Sequence, residues 1–511
     1  MQNKFRSLVL FAVSLGLGLV FNWFFYEKIP GISMTIFIAI LAAALPLAAN
    51  AWGVRLPRNA WLALFGAVLF ASWVAVRTSP FLSVLNVIFS LYLIGMAVLL
   101  TAERFDWGKI FSFIRIPFLP LNFISKIPWS VARMTEFRSR GEGKGAEVIR
   151  GILMALPVLF VFILLFASAD LVIHDFFLRL FNIENLPEVI GRTVIVLVFS
   201  LFAAGTLGYA LSSRTDVREE GSVAKKEQWK LGTLQVSVFL GAIATLFLGF
   251  ILVQAAYLFG GESALAGRDF TYAEYARHGF FELLAVALIT FLLLWGSERS
   301  VMRSAEKHSR QFKGLAGALA LEVVLIIASA FMRLSLYESA FGFTTMRLWS
   351  HAFTVLLTAF FLIFAWKIWR DADDRSFLVP AFFAAALSLL FMNVLSPDVF
   401  IARKNIARFA SDERFDSAHR KQFDAAYIAY LSDDATQEKL QVLRMLRGED
   451  KAAFGQIIAH RYEQRLQLTE EDSWQSWNYA RRRADSQLQA RSAEFEEYKE
   501  TPEGGDMPLE Q

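Results

Sequence analysis

The chain reads as an all-α protein, a polytopic transmembrane helix bundle of about eleven spans with a helical C-terminal domain outside the bilayer. Three observations carry that reading. Apolar types make up 56% of 511 residues and charged types only 19%, against roughly 45–50% and about 25% in a soluble domain. The charge is concentrated at one end: residues 1–395 hold 34 basic and 25 acidic side chains, while residues 396–511 hold 17 and 22. The apolar residues also come in runs of membrane-crossing length, separated by short polar connections.

A bilayer core of roughly 30 Å takes about 20 apolar residues as a helix. By that rule the spans are Leu8–Tyr26, Ile32–Ala49, Ala60–Val76, Phe81–Ala102, Ile152–Ala169, Thr193–Leu211, Leu234–Leu258, Phe280–Trp295, Leu315–Phe331, His351–Trp369 and Phe377–Leu395. Alternating ten-residue segments are absent, which excludes a barrel, and lipid leaves only helices. Pro46 and Pro157 fall inside spans, where kinks are expected. Lys4 and Arg6 precede an apolar run too long for a signal-peptide core, so that run is expected to stay as the first span.

Lys and Arg in the connections set the orientation. With the N-terminus in the cytoplasm, inside segments hold 26 basic residues and outside segments 8. An odd span count then puts the tail from Ser396 outside. Five segments follow: 1–102 with four spans, a connection at 103–150, a seven-span core at 151–395, a helical extramembrane domain at 396–500, and a disordered end at 501–511. In 103–150, Trp107, Phe111, Phe113, Phe118 and Phe123 alternate with Lys109, Arg115 and Lys126. That mixture suits a segment in the cytoplasmic headgroup layer and equally a loop packed under the bundle. Pro117, Pro120 and Pro128 are expected to break it into short pieces. In the tail, Trp474, Trp477 and Tyr479, just before Arg481–Arg483, suit contact with headgroups and, the reading favoured, a packed aromatic face.

Ionisable residues in or beside spans are costly and mark sites. Here they gather at the outer interface. Asp170 ends the fifth span. Tyr272-Ala-Glu-Tyr-Ala-Arg-His-Gly-Phe-Phe-Glu282 leads into the eighth, with Glu274, His278 and Glu282 at i, i+4, i+8 and Arg277 beside them. Arg333, Tyr337 and Glu338 leave the ninth span; Thr344, Arg347 and His351 enter the tenth; Asp398, Arg403 and Asn405 follow the eleventh. An outward pocket for an anionic or zwitterionic ligand and plain anchoring of helix ends both account for this stripe. Glu322 stands apart, halfway along the ninth span. It needs a partner or a proton, and Gln254 or Ser168 is the partner expected.

At these residues the chain resembles a family. Tyr272–Val286, Ala328–Thr344 with Arg347, and Ser396–Arg403 are similar to runs in a bacterial multipass group catalogued as domain of unknown function 4173, related to 4153. Ser396 stands where that group has Asn before Pro-Asp, and Lys404 where it has an aromatic. The resemblance implies a multipass protein of the bacterial cytoplasmic (inner) membrane and supplies no activity.

No Walker A, Rossmann glycine pattern, GxSxG or HExxH is present, and with no cysteine there is no thiolate chemistry, so no cofactor or metal is expected. A net charge of +4 does not call for nucleic acid. The partners expected are the lipid bilayer and a small-molecule or lipid ligand, with the oligomeric state open. Three functional classes remain: a transporter-like protein with an outward-facing polar site, a membrane-embedded enzyme using outer-face carboxylates such as Glu274 and Asp398, and a sensor or scaffold acting through its tail.

Overall fold

The computed structural model describes residues 2–135, 186–211, 233–260, 280–300, 306–411, 424–469 and 474–499. Every regular element among them is a helix. Eight are long and apolar enough to cross a membrane: α1 (Gln2–Phe25), α2 (Ile32–Ala51), α3 (Arg58–Ser72, extended by a 3-10 turn to Ala75), α4 (Pro80–Thr101), α7 (Leu186–Leu211), α10 (Glu306–Phe341), α11 (Thr345–Arg370) and α12 (Arg375–Leu395). The seventh and eighth expected spans are also helical, as α8 (Thr233–Gly260) and α9 (Phe280–Ser300). The fifth, Ile152–Ala169, lies outside the described residues.

Between α4 and α7 the chain forms α5 (Ile110–Ile114), a 3-10 turn and α6 (Leu119–Thr135). One expectation is corrected here: α6 runs through Pro128 without a break. Pro120 sits in its first turn, where the missing N–H has no intrahelical acceptor to lose, and Pro117 opens the 3-10 turn in the same way. The tail folds as α13 (Pro397–Ser411), α14 (Ala425–Tyr430), α15 (Thr436–Met445), α16 (Gly448–Thr469), α17 (Tyr479–Gln489) and α18 (Ser492–Lys499).

Contacts gather the chain into two compact units whose borders cross those drawn on the sequence. The first lies within Met1–Asp106, Phe111–Ser222 and Arg465–Arg482. Its organiser is α7, which packs against α1 and α6. Gly18 of α1 comes so near Ser200 and the Val196 carbonyl of α7 that a Cβ there would collide with both, and Gly205 of α7 lies as tightly under the Phe123 carbonyl of α6. Small residues at crossings let backbones approach in lipid, where burying apolar side chains gains little. Opposed pairings fix the ends. Arg6 of α1 donates to the carbonyls of Ala51 and Trp52 at the end of α2. At the other end the tail docks: Ile32 N–H donates to the Trp477 carbonyl at 2.8 Å, and the Asn478 amide donates to the carbonyls of Val74 and Arg77, both at 2.9 Å. Trp474 packs edge-on against Trp23 and Phe24. Within this unit, chain start and tail therefore lie at opposite helix ends.

The second unit lies within Trp107–Ile110, Val223–Gln464 and Arg483–Gln511. Leu283 of α9 joins Ile326, Ala330 and Leu334 of α10, with Phe247 and Ile251 of α8 packed on them. Phe291 of α9 meets Phe361 and Phe364 of α11 at ring distances of 5.5 and 5.4 Å, and Phe377 of α12 closes the group. Between α12 and α13 the chain turns at Ser396, whose φ is +54°. Asn is the non-glycine residue that best tolerates the left-handed region. Ser here carries the turn at some strain.

The crossing at Gly205 yields a test. Gly205→Leu should destabilise the detergent-solubilised protein by about 1–3 kcal/mol through overpacking, read as a lower midpoint in a thermal unfolding scan. Gly16→Leu, where an added Cβ meets nothing within 4 Å, should leave the midpoint unchanged.

Candidate functional site

Helix α10 is unusually long at 36 residues, and its last turns and the first turns of α11 hold the polar residues of the ninth and tenth spans. The turn between them is made by Gly342 at φ +82°; a Cβ there would press on the Asn405 side chain. Thr344 caps α11 by accepting from the Arg347 N–H. That geometry sets two cross-links. The Arg347 guanidinium lies 4.2 Å from the centre of the Tyr337 ring and donates to the Gly342 carbonyl. One turn further in, His351 Nε2 and Glu338 Oε2 are 2.8 Å apart, with the Phe331 ring 4.3 Å from the imidazole. The pair is well removed from solvent, with side chains 4% (Glu338) and 12% (His351) exposed. Glu338 Oε1 and His351 Nδ1 are buried without a hydrogen-bond partner among the described residues.

A polar line runs along a different face of α10, from Tyr337 back into the span. Glu322, Ser329, Arg333 and Tyr337 stand at i, i+7, i+11 and i+15 on α10, one helical face covering about 22 Å. Ser329 and Arg333 are buried. Glu322 sits on the border between the packed side (Val323, Ile326) and the lipid side (Leu321, Leu325). Its Oε2 is buried with no hydrogen-bond partner among the described residues, as is Ser329 Oγ. Ser168 lies outside the described residues and the side chain of Gln254 is not among those described.

The tail closes over the turn. Asn405 of α13 takes the Phe343 N–H at 2.7 Å and donates to the Phe343 carbonyl at 2.9 Å, and the Tyr427 hydroxyl accepts from Thr345 N–H at 2.8 Å. Asp398 is buried and accepts from the Ser432 N–H at 3.3 Å; Arg403 pairs with Glu438 at 2.8 Å. Of the residues singled out in the sequence, Tyr337 and Arg347 therefore meet in the α10–α11 hairpin, and Glu338 pairs there with His351. Asp398 and Arg403 find partners in the tail. Asp170, Glu274, Arg277 and His278 lie outside the described residues, and the side chain of Glu282, in the first turn of α9, is not described.

One cluster was not singled out in the sequence. At the far end of the second unit Lys367, 2% exposed, reaches Glu298 at 2.9 Å and Asp374 at 2.5 Å. Arg299 also pairs with Asp374, and Lys313 with Asp371. Burial pushes the Asp374 carboxyl up, but hydrogen bonds from Lys367 and Arg299, and then their charges, outweigh it and hold it below the ordinary carboxylate range. The cluster ties α9, α10 and α11 to the α11–α12 turn. Among the described residues no group of three or more His, Asp or Glu side chains is arranged to hold a metal.

A bundle of membrane-length helices, polar residues gathered at one helix end and a tail folded over that end define an integral membrane protein of the multipass helical class. The chain belongs to the family described as Domain of unknown function (DUF4153), whose profile matches residues 64–441. That span reaches from α3 into α15 and takes in both the hairpin and the Lys367 cluster. No curated protein and no solved structure matches the chain.

Lys367→Met should leave Glu298 without its buried cation and cost about 3 kcal/mol in unfolding free energy. The pH dependence has a definite sign. Asp374 has a folded value below its unfolded one, so its contribution is fully present above the ordinary value of 3.8 and is lost as pH falls through the lowered folded value. Thermal scans of wild type should show that acid limb, and Asp374→Asn should flatten it.

Proposed function

We propose that this chain is a transporter-like protein of the bacterial cytoplasmic membrane, with its N-terminus in the cytoplasm, its tail outside, and an outward-facing polar site at the α10–α11 hairpin. The carrying observation is the polar line on α10, which leads from mid-span Glu322 to Tyr337 and the Arg347 stacked on it, next to the buried Glu338–His351 pair, and bears two buried oxygens without partners among the described residues. Ionisable groups at that depth are costly, and lines of them mark ion and solute pathways. A carboxylate, an imidazole and the guanidinium groups of Arg333 and Arg347 together suit a small anionic or zwitterionic solute. Glu322 is placed to take up the coupling proton.

The orientation has two supports, the second read against the first. One is the 26-to-8 excess of basic residues in alternate connections. The other is the tail, which bonds to Ile32, Val74 and Arg77 in the first unit and to Phe343 and Thr345 in the second. All of these lie at or beside connections that the basic-residue count assigns to the outside.

A reporter enzyme active only outside the cytoplasm should be active when fused after Gly31 or after Ser396; silence at Ser396 would overturn the orientation. For the site, the purified protein should be screened for ligand-induced thermal stabilisation with amino acids, mono- and dicarboxylates and inorganic phosphate. A ligand at a hundred times its dissociation constant adds about 2.7 kcal/mol. We expect Glu338→Gln and Arg347→Gln to abolish that gain. Glu322→Gln should preserve it and remove its dependence on pH. A gain that survives both hairpin substitutions would place the ligand elsewhere.

A further inference from the structure

The segment from Phe111 to Ser130 is apolar on two faces. Ser112, Ile116, Leu119 and Phe123 are buried, at i, i+4, i+7 and i+11. The opposite stripe, Phe111, Ile114, Phe118, Leu121 and Ile124, is 48–74% exposed. An amphipathic surface helix would show charge on that second face.

The packed face fixes the depth. A Cβ on Gly95 of α4 would touch Ile116 and Leu119, and Gly95 lies six residues before α4 ends at Thr101. Phe123 crosses α7 at Gly205, with its ring 5.6 Å from that of Phe202 and 5.7 Å from that of Tyr209. Gly205 is likewise six residues before α7 ends at Leu211. At 1.5 Å per residue both contacts lie about 9 Å in from the helix ends. Seven residues beyond Phe123, the Ser130 hydroxyl donates to the Ala204 carbonyl at 2.7 Å. Thus α6 advances by about 10 Å along its own axis while its contact on α7 shifts by one residue. From Phe123 to Ser130, α6 therefore stays at one level of α7.

Both helix ends belong to the side where the chain begins. Antiparallel packing of α7 on α1 is fixed by Arg192 against the Tyr26 ring at 4.4 Å and by Ser200 at Gly18. The lipid-facing side of α4 completes the picture: Phe81, Val84, Ile88 and Leu91 are exposed, whereas Gly95 through Leu100 are all buried. The 111–119 stretch takes the place of lipid around the last turns of α4, and its own outer stripe continues the belt that α4 leaves at Leu91.

From these contacts we infer that Phe111–Ser130 is an in-plane helical segment embedded in the leaflet on the N-terminal side, with the acyl chains of that leaflet as the partner of its outer stripe. A depth of about 9 Å falls within the roughly 5–10 Å at which in-plane helices seat their apolar faces. Continuity with the α4 belt selects lipid over a protein partner.

The chain has no cysteine, so single cysteines at positions 114, 118, 121 and 124 can carry nitroxide labels in the full-length protein, reconstituted into phosphatidylcholine–phosphatidylglycerol vesicles. All four should be several-fold more accessible to oxygen than to a water-soluble nickel complex, and labels at 116 and 119 should be poorly accessible to both. Greater access to nickel at 118 and 121 would put the stripe in water. Low access to both reagents there would mean that protein, a second copy included, covers it; either result overturns the inference. Photo-crosslinking of the unmodified chain with a diazirine-bearing acyl chain should place adducts within residues 111–124, and adducts confined to α1–α4 and α7 would count against it.

Discussion

In lipid, an apolar side chain gains almost nothing by exchanging acyl chains for a protein neighbour, so helices hold together where their backbones can come close. In the first unit that condition is met along α7. Gly18 and Ser200 let α1 lie on it, and Gly205 lets α6 cross it with the Phe123 carbonyl against its backbone. The other packing follows from these crossings: the Ser130–Ala204 bond, the rings of Phe202 and Tyr209 around Phe123, and the placement of Ile116 and Leu119 on Gly95 of α4. A glycine with no room for a Cβ is a geometric requirement, and here it sets which helices are neighbours.

The second unit is held differently. Aromatic rings fill the space between α9, α11 and α12, and charged groups concentrate at the two ends. The Lys367 cluster at one end is balanced in sign, with Lys367, Arg299 and Lys313 facing Glu298, Asp374 and Asp371. Such balance offsets the cost of burying charge, which several unpaired groups would not survive. Toward the other end, from mid-span to the hairpin, Glu322, Ser329, Glu338 and His351 each keep a buried polar atom without a partner among the described residues. The contrast separates a cluster of paired charges from one whose buried polar atoms lack partners among the described residues.

Hydropathy made the helices legible, since a run of about twenty apolar residues has few other fates. It did not make their neighbours legible. Thr193–Leu211 reads as part of a seven-span core, yet α7 packs with α1 and α6, because the glycines that decide this carry no hydropathy signal. The hairpin residues Tyr337, Glu338 and Arg347 stood out as charges beside spans. The Glu338–His351 pair did not, since its members are thirteen residues apart across a turn. Lys367 was hidden by its position: a lysine one turn from a helix end reads as an interfacial anchor, and its partner Glu298 is 69 residues away. Pro128 misled in the other direction, because a proline inside a helix costs one backbone bond without ending the helix.

The docking of Trp477 and Asn478 onto the first unit joins groups some 400 residues apart in the chain. A ribosome adding about 5–20 residues per second needs roughly 20–80 s to travel that distance. During that interval α1–α4 are already inserted, and the carbonyls of Val74 and Arg77 face water instead of an asparagine amide. The first half of the protein must therefore survive in the membrane as an unfinished intermediate, open to quality-control proteases at the ends of its helices. Assembly closes only when the last-made segment reaches back to the first.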